Sequence, residues 1–346
     1  MRPVPLRWRL RRARYRLKCR LTPPAIILMY HRVTELTNDP YLLAVTPQHF
    51  AEHLDVIRAL GVPVRLDELA RGVRQGKLPT RAVAVTFDDG YADNLDYAKP
   101  LLRRQAVPAT VFVTAGQVDR GREFWWDELD RLLLQPGDLP PVLRLRLNGS
   151  VREWSLGEAS RYSEEEYRRD RHWHVECSEA PGSRQRIFRD LFGLLHSMPF
   201  AERWAILNEV TVWAEVPAAV RPTHRILTSE EAVRLAEGDL VTIGAHTMTH
   251  PVLASLSPVE QRREIQESKL RLEAMVGREV VSFAYPHGSS TPAAAASISE
   301  AGFLCACSSY PDAVFRGADR FQLPRLGVRD WDGETFARWL RWWVGD

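Results

Sequence analysis

The sequence lacks the features of a membrane-spanning or exported protein. No apolar run in its 346 residues approaches the roughly 20 residues that a helix needs to cross a bilayer. The basic N-terminus is followed by neither an apolar core nor a small-residue cleavage site, so we expect no signal peptide. Cysteine is scarce, and the spacing of Cys19, Cys177, Cys305 and Cys307 fits no common zinc site. We therefore expect reduced thiols, most of them packing residues, in a cytoplasmic protein.

Negative charge is missing from the first 20 residues, which hold eight Arg and one Lys and no Asp or Glu. This segment contributes +9, and because the whole chain carries +3, the remaining residues sum to −6. That balance describes a mildly acidic protein with a basic arm, and it does not favour a nucleic-acid partner. Leucines recur at helical spacing among the arginines, beside Trp8 and Tyr15. Residues 1–20 therefore predict either a helix on anionic lipid, peripheral at the inner face of the membrane, or a helix packed on the domain with its arginines in water.

Internal repeats and low-complexity tracts are also absent, and 45% hydrophobic with 26% charged residues is the balance of an ordinary globular protein. Short apolar segments alternate with helical patterns, which predicts a parallel α/β sheet or barrel. Helix start signals include Thr46 before Pro47 and the capping boxes at Thr228 and Ser257. The predicted strands cover residues 25–30, 62–64, 82–87, 109–113, 240–245, 280–285, 304–308 and 321–328.

This alternation breaks between residues 116 and 224. Residues 142–156 alternate around Asn148-Gly149 and predict a hairpin, and two amphipathic helices are predicted near residues 184–196 and 201–214. We expect a mixed α+β insertion that is either a lid or wall of an active site or a buttress that only packs. The predicted division is thus a basic arm (1–24) and a barrel (25–346) interrupted by this insertion.

Polar side chains follow four of the predicted strands. In a parallel barrel the carboxyl ends of all strands meet at one face, where such folds place their sites. The residues concerned are His31, the pair Asp88 and Asp89, the pair His246 and His250, and the segment from Tyr285 to His287.

Two histidines four positions apart can bind one metal ion if their segment makes a helical turn, and a carboxylate completes a site with open positions. Such an ion acidifies water and polarises a carbonyl, while a second carboxylate takes the proton, which suits hydrolysis. Each motif alone has a plainer explanation. Asp-Asp-Gly can be a strand-to-turn junction whose acids cap the next helix, and a histidine at a strand end is often structural. Their joint occurrence predicts a metal site.

The segment Thr86-Phe-Asp-Asp-Gly90, taken with His246-Thr-x-x-His250, resembles the NodB-type polysaccharide deacetylases, carbohydrate esterase family 4. The resemblance spans roughly residues 25–115 and 225–335. It implies a distorted (β/α) barrel with fewer strands than a TIM barrel. It also implies removal of acetyl groups from sugars with a divalent metal, commonly zinc, with cobalt, manganese, nickel and iron as alternatives.

Carried over by position, the resemblance implies that Asp88 is the general base and that Asp89, His246 and His250 are the metal ligands. The family's C-terminal Leu-x-His motif is absent. Leu28-Met-Tyr-His31 resembles its counterpart in the circularly permuted branch, which includes exopolysaccharide deacetylases. His31 would then be the general acid, although a structural role for this histidine remains the alternative.

The family's Arg-Pro-Pro-Tyr motif is also changed, to Phe283-Ala-Tyr-Pro-His287. The arginine that normally pairs with the base is missing there, and Arg325 is the candidate substitute. We expect a backbone amide near Tyr285 to help hold the oxyanion, and His287 is a second candidate for the acid.

The sequence therefore predicts a metal-dependent hydrolase that deacetylates an N-acetylated sugar or polysaccharide, such as a nascent or lipid-linked glycan. One alternative is an amidohydrolase acting on a non-sugar amide, and another is a non-catalytic glycan-binding barrel. Exposed aromatic rings near the site would favour sugars, and a small closed pocket would favour the non-sugar amide. The joint presence of a base and three ligands argues against the non-catalytic barrel.

Overall fold

The structure is a computed structural model that describes residues 18–19, 22–147, 149–217 and 219–345. Most of the predicted basic arm and Asn148 of the predicted hairpin turn lie outside the described residues. In the described part, no helix combines the length and the apolar character that crossing a bilayer requires. Contacts divide the chain into two compact units. The first contains the described residues up to Glu35, Ala44–Gly116 and those from Leu227 onward, and the second contains Leu36–Leu43 and Gln117–Ile226.

The described strands are β1 (Ile26–Tyr30), β2 (Arg32–Val33), β3 (Ala44–Val45), β4 (Val62–Pro63), β5 (Ala82–Phe87), β6 (Ala109–Val113), β7 (Gly137–Asp138), β8 (Val142–Leu147), β9 (Ser150–Ser155), β10 (Arg161–Tyr162), β11 (Val241–Ala245), β12 (Ser282–Ala284), β13 (Cys305–Cys307) and β14 (Leu326–Gly327). The described α-helices are α1 (Pro47–Leu60), α2 (Leu66–Gln75), α3 (Lys99–Gln105), α4 (Trp125–Leu133), α5 (Glu164–Asp170), α6 (Ser183–His196), α7 (Phe200–Ala214), α8 (Ser229–Ala236), α9 (Pro258–Val276), α10 (Pro292–Glu300) and α11 (Gly333–Val344).

The first unit is built on one parallel sheet with the strand order β13-β12-β11-β6-β5-β1-β14, and β4 pairs beside β5. Every residue of the central strands β5 and β6 is buried. Their small and β-branched side chains suit a strand that is covered on both faces. The sheet curls into a half-barrel with helices between its strands, and the predicted distorted (β/α) barrel is confirmed.

Three helix starts with a side-chain signal were predicted correctly, whereas those capped by Ser163, Thr291 and Asp332 were missed. The side chain of Thr46 accepts a hydrogen bond from the amide of His49, and the capping boxes at Thr228 and Ser257 are both formed. Helix α2 was missed because its N-cap position, Arg65, provides no capping hydrogen bond. The strands predicted at residues 280–285 and 321–328 shrink to β12 and β14. An apolar run does not show where strand pairing stops.

In the second unit, β8 and β9 form the predicted antiparallel hairpin, with Leu147 opposite Ser150. Helices α6 and α7 are present near the predicted positions. Helix α4 was not predicted, and all of its residues are buried, the charged ones included.

Leu36–Leu43, expected in the barrel, belong to the second unit. There Asn38 donates a hydrogen bond to Asp130 at 2.8 Å. This pairing of side chains 92 positions apart has no local sequence signal. The division into arm, barrel and insertion, and a lid role for the insertion, stay predictions.

Candidate metal centre

Strand β5 ends in two carboxylates with different backbone conformations. The amide of Asp88 donates to the carbonyl of Tyr30 at 3.0 Å and so continues the ladder between β1 and β5. Asp89 leaves the strand with φ of 75°, and Gly90 follows at 89°. Asp tolerates the left-handed region better than most residues, and Gly adopts it freely. This reversal of the chain lets two adjacent carboxylates serve different partners.

The carboxylate of Asp89 lies beside both histidines of the second motif. Its Oδ1 is 3.6 Å from Nε2 of His246 and 3.3 Å from Nε2 of His250. One potential ligand atom from each of the three buried residues falls within 4.8 Å of the others. Donor atoms at these separations can share one ion at the usual ligand distances of about 2.0–2.2 Å. The Asp-His-His group could therefore hold a metal ion.

The protonation states of this group also fit a metal. Nδ1 of His246 donates to the carbonyl of Ala284 at 2.8 Å, which leaves Nε2 as the acceptor that faces Asp89. Burial lowers the pKa of His246 to about 4, so its imidazole is neutral at neutral pH. Burial raises the pKa of the Asp89 carboxyl, but the neighbouring histidines, His250 first, outweigh burial and bring this pKa below its usual value. A neutral imidazole and an ionised carboxylate are the forms that bind metals.

The segment from His246 to His250 is a loop, not the helical turn that was the condition for both histidines to bind one metal. Thr247 and His250 both adopt positive φ, at 64° and 56°. The side chain of Thr247 accepts a hydrogen bond from the amide of His250 at 3.0 Å. Two left-handed residues fold the loop back on itself, and this brings both Nε2 atoms to the same carboxylate.

The loop after β6 holds the histidine loop from one side. The amides of Ala115 and Gly116 donate to the carbonyls of Thr247 and Met248 at 3.0 and 2.9 Å. A Cβ atom on Gly116 would lie 2.4 Å from the carbonyl oxygen of Met248. Position 116 therefore requires glycine because the two backbones approach closely.

Asp88 is paired with the arginine that the sequence offered as a substitute. The guanidinium of Arg325 donates to both carboxylate oxygens, at 2.6 and 2.7 Å, and Arg325 is fully buried. Arg325 also donates to the carbonyl of Ser308 at 2.9 Å. Burial raises the pKa of Asp88, but the charge and hydrogen bonds of Arg325 overcome it and hold this pKa well below its usual range. Asp88 is an oriented, ionised carboxylate, and the catalytic roles of both residues stay predictions.

His31 lies half-buried between β1 and β2. Asn94 donates to the carbonyl of His31 at 3.0 Å. Asp93 accepts from the amide of Val33 at 3.1 Å and from Nε of Arg32 at 3.0 Å. The segment that follows the Asp-Asp-Gly motif thus fixes the backbone at His31 and directly after it.

The segment after β12 was expected to offer an oxyanion donor near Tyr285, but the donors of Tyr285 itself are engaged. The amide of Tyr285 donates to the carbonyl of Cys307 at 3.0 Å, and its hydroxyl donates to the carbonyl of Phe321 at 2.8 Å. Both donors of Tyr285 are engaged within the barrel, so an oxyanion donor here would have to come from a neighbour. His287 is exposed with φ of 56°, and its ring centroid is 4.6 Å from that of His250.

Sequence reasoning missed two groups of residues around this site. Asp93 and Asn94 had a usable signal, since polar residues directly after a motif and within a buried stretch need partners. Glu264, which contacts the histidine loop, had no signal because it is one of many charged residues on α9.

Comparisons with known proteins agree with the fold. Residues 75–138 and 210–306 match the family model described as polysaccharide deacetylase. The Bacillus subtilis (strain 168) protein YxkH, named after the same family, is 33% identical over 89 residues. That match covers 25% of this chain and 30% of the relative, so the chain spans less than a third of the relative's length.

Three solved structures share the architecture. The Streptococcus pyogenes deacetylase PplD, in complex with acetate, has a TM-score of 0.57 at 16% identity, over 92% of this chain and 98% of its own. IcaB from Ammonifex degensii has a TM-score of 0.55 at 18% identity, over 93% of this chain and 97% of IcaB. The deacetylase domain of BpsB from Bordetella bronchiseptica has a TM-score of 0.50 at 15% identity, over 88% of this chain and 95% of that domain. At these identities the similarity shows the fold, and with the family match it confirms the resemblance that the two motifs carried.

Proposed function

We propose that this chain, which carries a polysaccharide deacetylase domain, is a metal-dependent hydrolase that removes acetyl groups from an N-acetylated sugar or polysaccharide. One observation carries the proposal: a buried Asp-His-His group stands at the strand ends next to an ionised carboxylate that Arg325 orients. Asp89, His246 and His250 would hold a divalent ion, and when bound it supplies a Lewis acid for the acetyl oxygen and acidifies water.

Zinc is the metal we propose. Two imidazoles and one carboxylate are a ligand set of catalytic zinc sites, which keep an open position for water or substrate. Imidazole ligands also suit iron and nickel, so these ions belong in any test.

Asp88 is proposed to orient the attacking water and to take its proton. Arg325 makes one hydrogen bond to each carboxylate oxygen. Because each oxygen has two lone pairs, a lone pair remains to accept the proton. The bidentate pair fixes the carboxylate plane, so little reorganisation is needed when the proton moves.

Tyr310 favours a sugar over a small amide. This residue follows β13, at the carboxyl end of the sheet, and it is 68% exposed. Its carbonyl accepts a hydrogen bond from the amide of Arg325 at 3.1 Å, so the backbone of Tyr310 is paired with the segment that carries the partner of Asp88. An exposed aromatic face next to a site can stack on the apolar face of a pyranose ring.

Acetate release tests this function. Metal-free protein is loaded with zinc, cobalt, manganese, nickel or iron and given N-acetylglucosamine oligomers of increasing length, a lipid-linked N-acetylated sugar and a non-sugar acetamide. We expect release that depends on metal and on sugar. Release from the acetamide alone would favour the amidohydrolase, and glycan binding without release would favour the non-catalytic barrel.

His31 is proposed to be the general acid that protonates the leaving amine. We expect His31→Gln to retain metal and to slow turnover within the usual 10²–10⁴-fold range of acid–base catalysis. An amine must be protonated to leave, whereas a phenol leaves readily. The loss should therefore be about 10-fold or more larger on an N-acetyl sugar than on an aryl acetate.

The rate–pH profile on both substrates checks this assignment, and the alkaline limb of the wild type should vanish in His31→Gln. His49→Gln is the matched control, because His49, on α1, pairs with Asp330 and lies outside the Asp-His-His group. Equal losses on the two substrates, or a surviving alkaline limb, would move the acid role to another group, with His287 the first candidate.

The basic arm is proposed to contact anionic lipid. Its described end is held on the barrel: Lys18 stands 3.5 Å from the ring centroid of Phe315, and Cys19 is buried against Gly345. Residues 1–17 carry seven arginines, each worth at most about 1 kcal/mol near such a membrane surface.

Deleting residues 2–17 should therefore preserve the melting temperature and the activity on soluble substrate while weakening sedimentation with phosphatidylglycerol vesicles. Unchanged vesicle binding, or a truncated protein that unfolds, would instead support the packed helix.

A further inference from the structure

Glu264, on helix α9, contacts the loop that carries both histidines. Its Oε2 accepts hydrogen bonds from the amides of Met248 and Thr249, at 2.8 and 2.9 Å. Its Oε1 accepts from the hydroxyl of Thr249 at 2.6 Å. One carboxylate thus binds the two consecutive residues that precede His250 in the loop.

The loop needs this support because its conformation is unfavourable by itself. Thr247, with a branched Cβ, has φ of 64°, which such residues rarely adopt. A backbone in a sparsely populated region persists only when its surroundings over-determine it. The amides of Ala115 and Gly116 supply part of the necessary support by donating to the carbonyls of Thr247 and Met248. Glu264 supplies further support by accepting from the amides of the next two residues.

We propose that Glu264 is a positioning residue for the metal site. It would hold the histidine loop in the conformation that presents both Nε2 atoms to Asp89, and so raise metal affinity without touching the ion. The inference rests on the proposed function, because it assumes that the Asp-His-His group binds a metal. Losing an outer partner of metal ligands typically costs 10–100-fold in affinity, which sets the expected effect.

Two conservative variants separate positioning from charge. Glu264→Gln keeps the reach of the side chain, since its carbonyl can accept from both amides and its NH2 can donate to the hydroxyl of Thr249. Glu264→Asp keeps the charge but is shorter by one methylene and does not reach all three donors. Positioning therefore predicts nearly normal affinity for Glu264→Gln and weakened affinity for Glu264→Asp.

The full chain is first freed of metal, and its Kd for zinc is then measured by competition with a chelating dye. We expect Kd to rise 10–100-fold in Glu264→Asp and in Glu264→Leu, and to stay within about 3-fold in Glu264→Gln. Glu267→Leu is the matched control, because Glu267 is an exposed residue of the same helix that pairs with Arg263. At saturating zinc, Glu264→Asp should recover most of its turnover, since Asp88 and His31 are intact.

Wild-type affinity in both Glu264→Asp and Glu264→Leu would overturn the inference. A weakened Glu264→Gln beside a Glu264→Asp of wild-type affinity would overturn it too, because charge would then explain the effect. Should Glu264→Leu fail to fold, the Asp and Gln pair decides the matter. A wild-type chain that binds no zinc, nickel or iron would instead reject the metal site and the proposed function.

Discussion

Replacing Asp88 by asparagine is expected to lower turnover by about 10²–10⁴-fold while the metal stays in place. An amide cannot take the proton of the attacking water, and Asp88 is not one of the three residues of the Asp-His-His group. Zinc content and kcat on an N-acetylated oligosaccharide measure the two effects separately. Turnover within threefold of the wild type would mean that another group is the base.

The same variant should also be less stable, because Arg325 is fully buried and loses its counter-charge. Removing one partner of a buried ion pair typically costs about 3–5 kcal/mol, and the amide oxygen can still accept one bond from Arg325. The melting temperature of each variant should therefore be measured together with its turnover. Asp130→Asn is the matched control, since Asp130 is a buried carboxylate paired with Arg221 in the second unit. We expect it to lose stability while keeping most of the activity.

The pH dependence of stability gives a further check on this pair. Asp88 has a lower pKa in the folded chain than in the unfolded one, so it contributes stability above its unfolded pKa of about 4. That contribution is lost as the pH falls below this value. The difference in melting temperature between wild type and Asp88→Asn should therefore be largest near neutral pH and shrink on acidification. A constant difference between pH 7 and pH 3 would contradict the ionised pair.

Removing any one ligand of the Asp-His-His group should abolish both metal binding and activity. His246→Ala and His250→Ala each delete an imidazole and leave two protein ligands. Asp89→Asn is the milder change, because asparagine also tolerates the positive φ of this position, so the backbone should keep its shape. We expect each variant to retain substoichiometric zinc after dialysis and to release no acetate above the metal-free level.

Thermal melting reports the same loss without any substrate. A ligand that binds only the folded chain stabilises it by about 2.7 kcal/mol at a concentration of 100 Kd. Zinc should thus raise the melting temperature of the wild type and leave the three variants unchanged. His287→Ala is the control, since its ring lies next to His250 but outside the Asp-His-His group. Stoichiometric zinc in all three variants would reject the ligand assignment.

The sequence by itself determined the positions of the candidate site residues along the chain. The signals for β5 and β11 are local, because an apolar run that ends in polar residues shows where a buried strand stops. Parallel strands then bring their carboxyl ends to one face, so the sequence alone is enough to group Asp89 with the two histidines. The capping boxes at Thr228 and Ser257 were equally local, since they depend on residues three positions apart.

Only the tertiary structure decided how these residues are held. Arg325 reaches Asp88 across 237 positions of sequence, and Glu264 reaches the histidine loop from a neighbouring helix. The family resemblance made Arg325 a candidate for this pairing, but nothing near Glu264 in the sequence identifies its partner. The left-handed backbone at Thr247 is likewise held by the bond from Ala115 to its carbonyl and by the bonds of Glu264 to the next two residues. An isolated threonine would avoid this conformation. Local sequence patterns encode the secondary-structure elements and where they end. The orientation of a metal-ligating side chain depends instead on contacts that form only once the chain has folded.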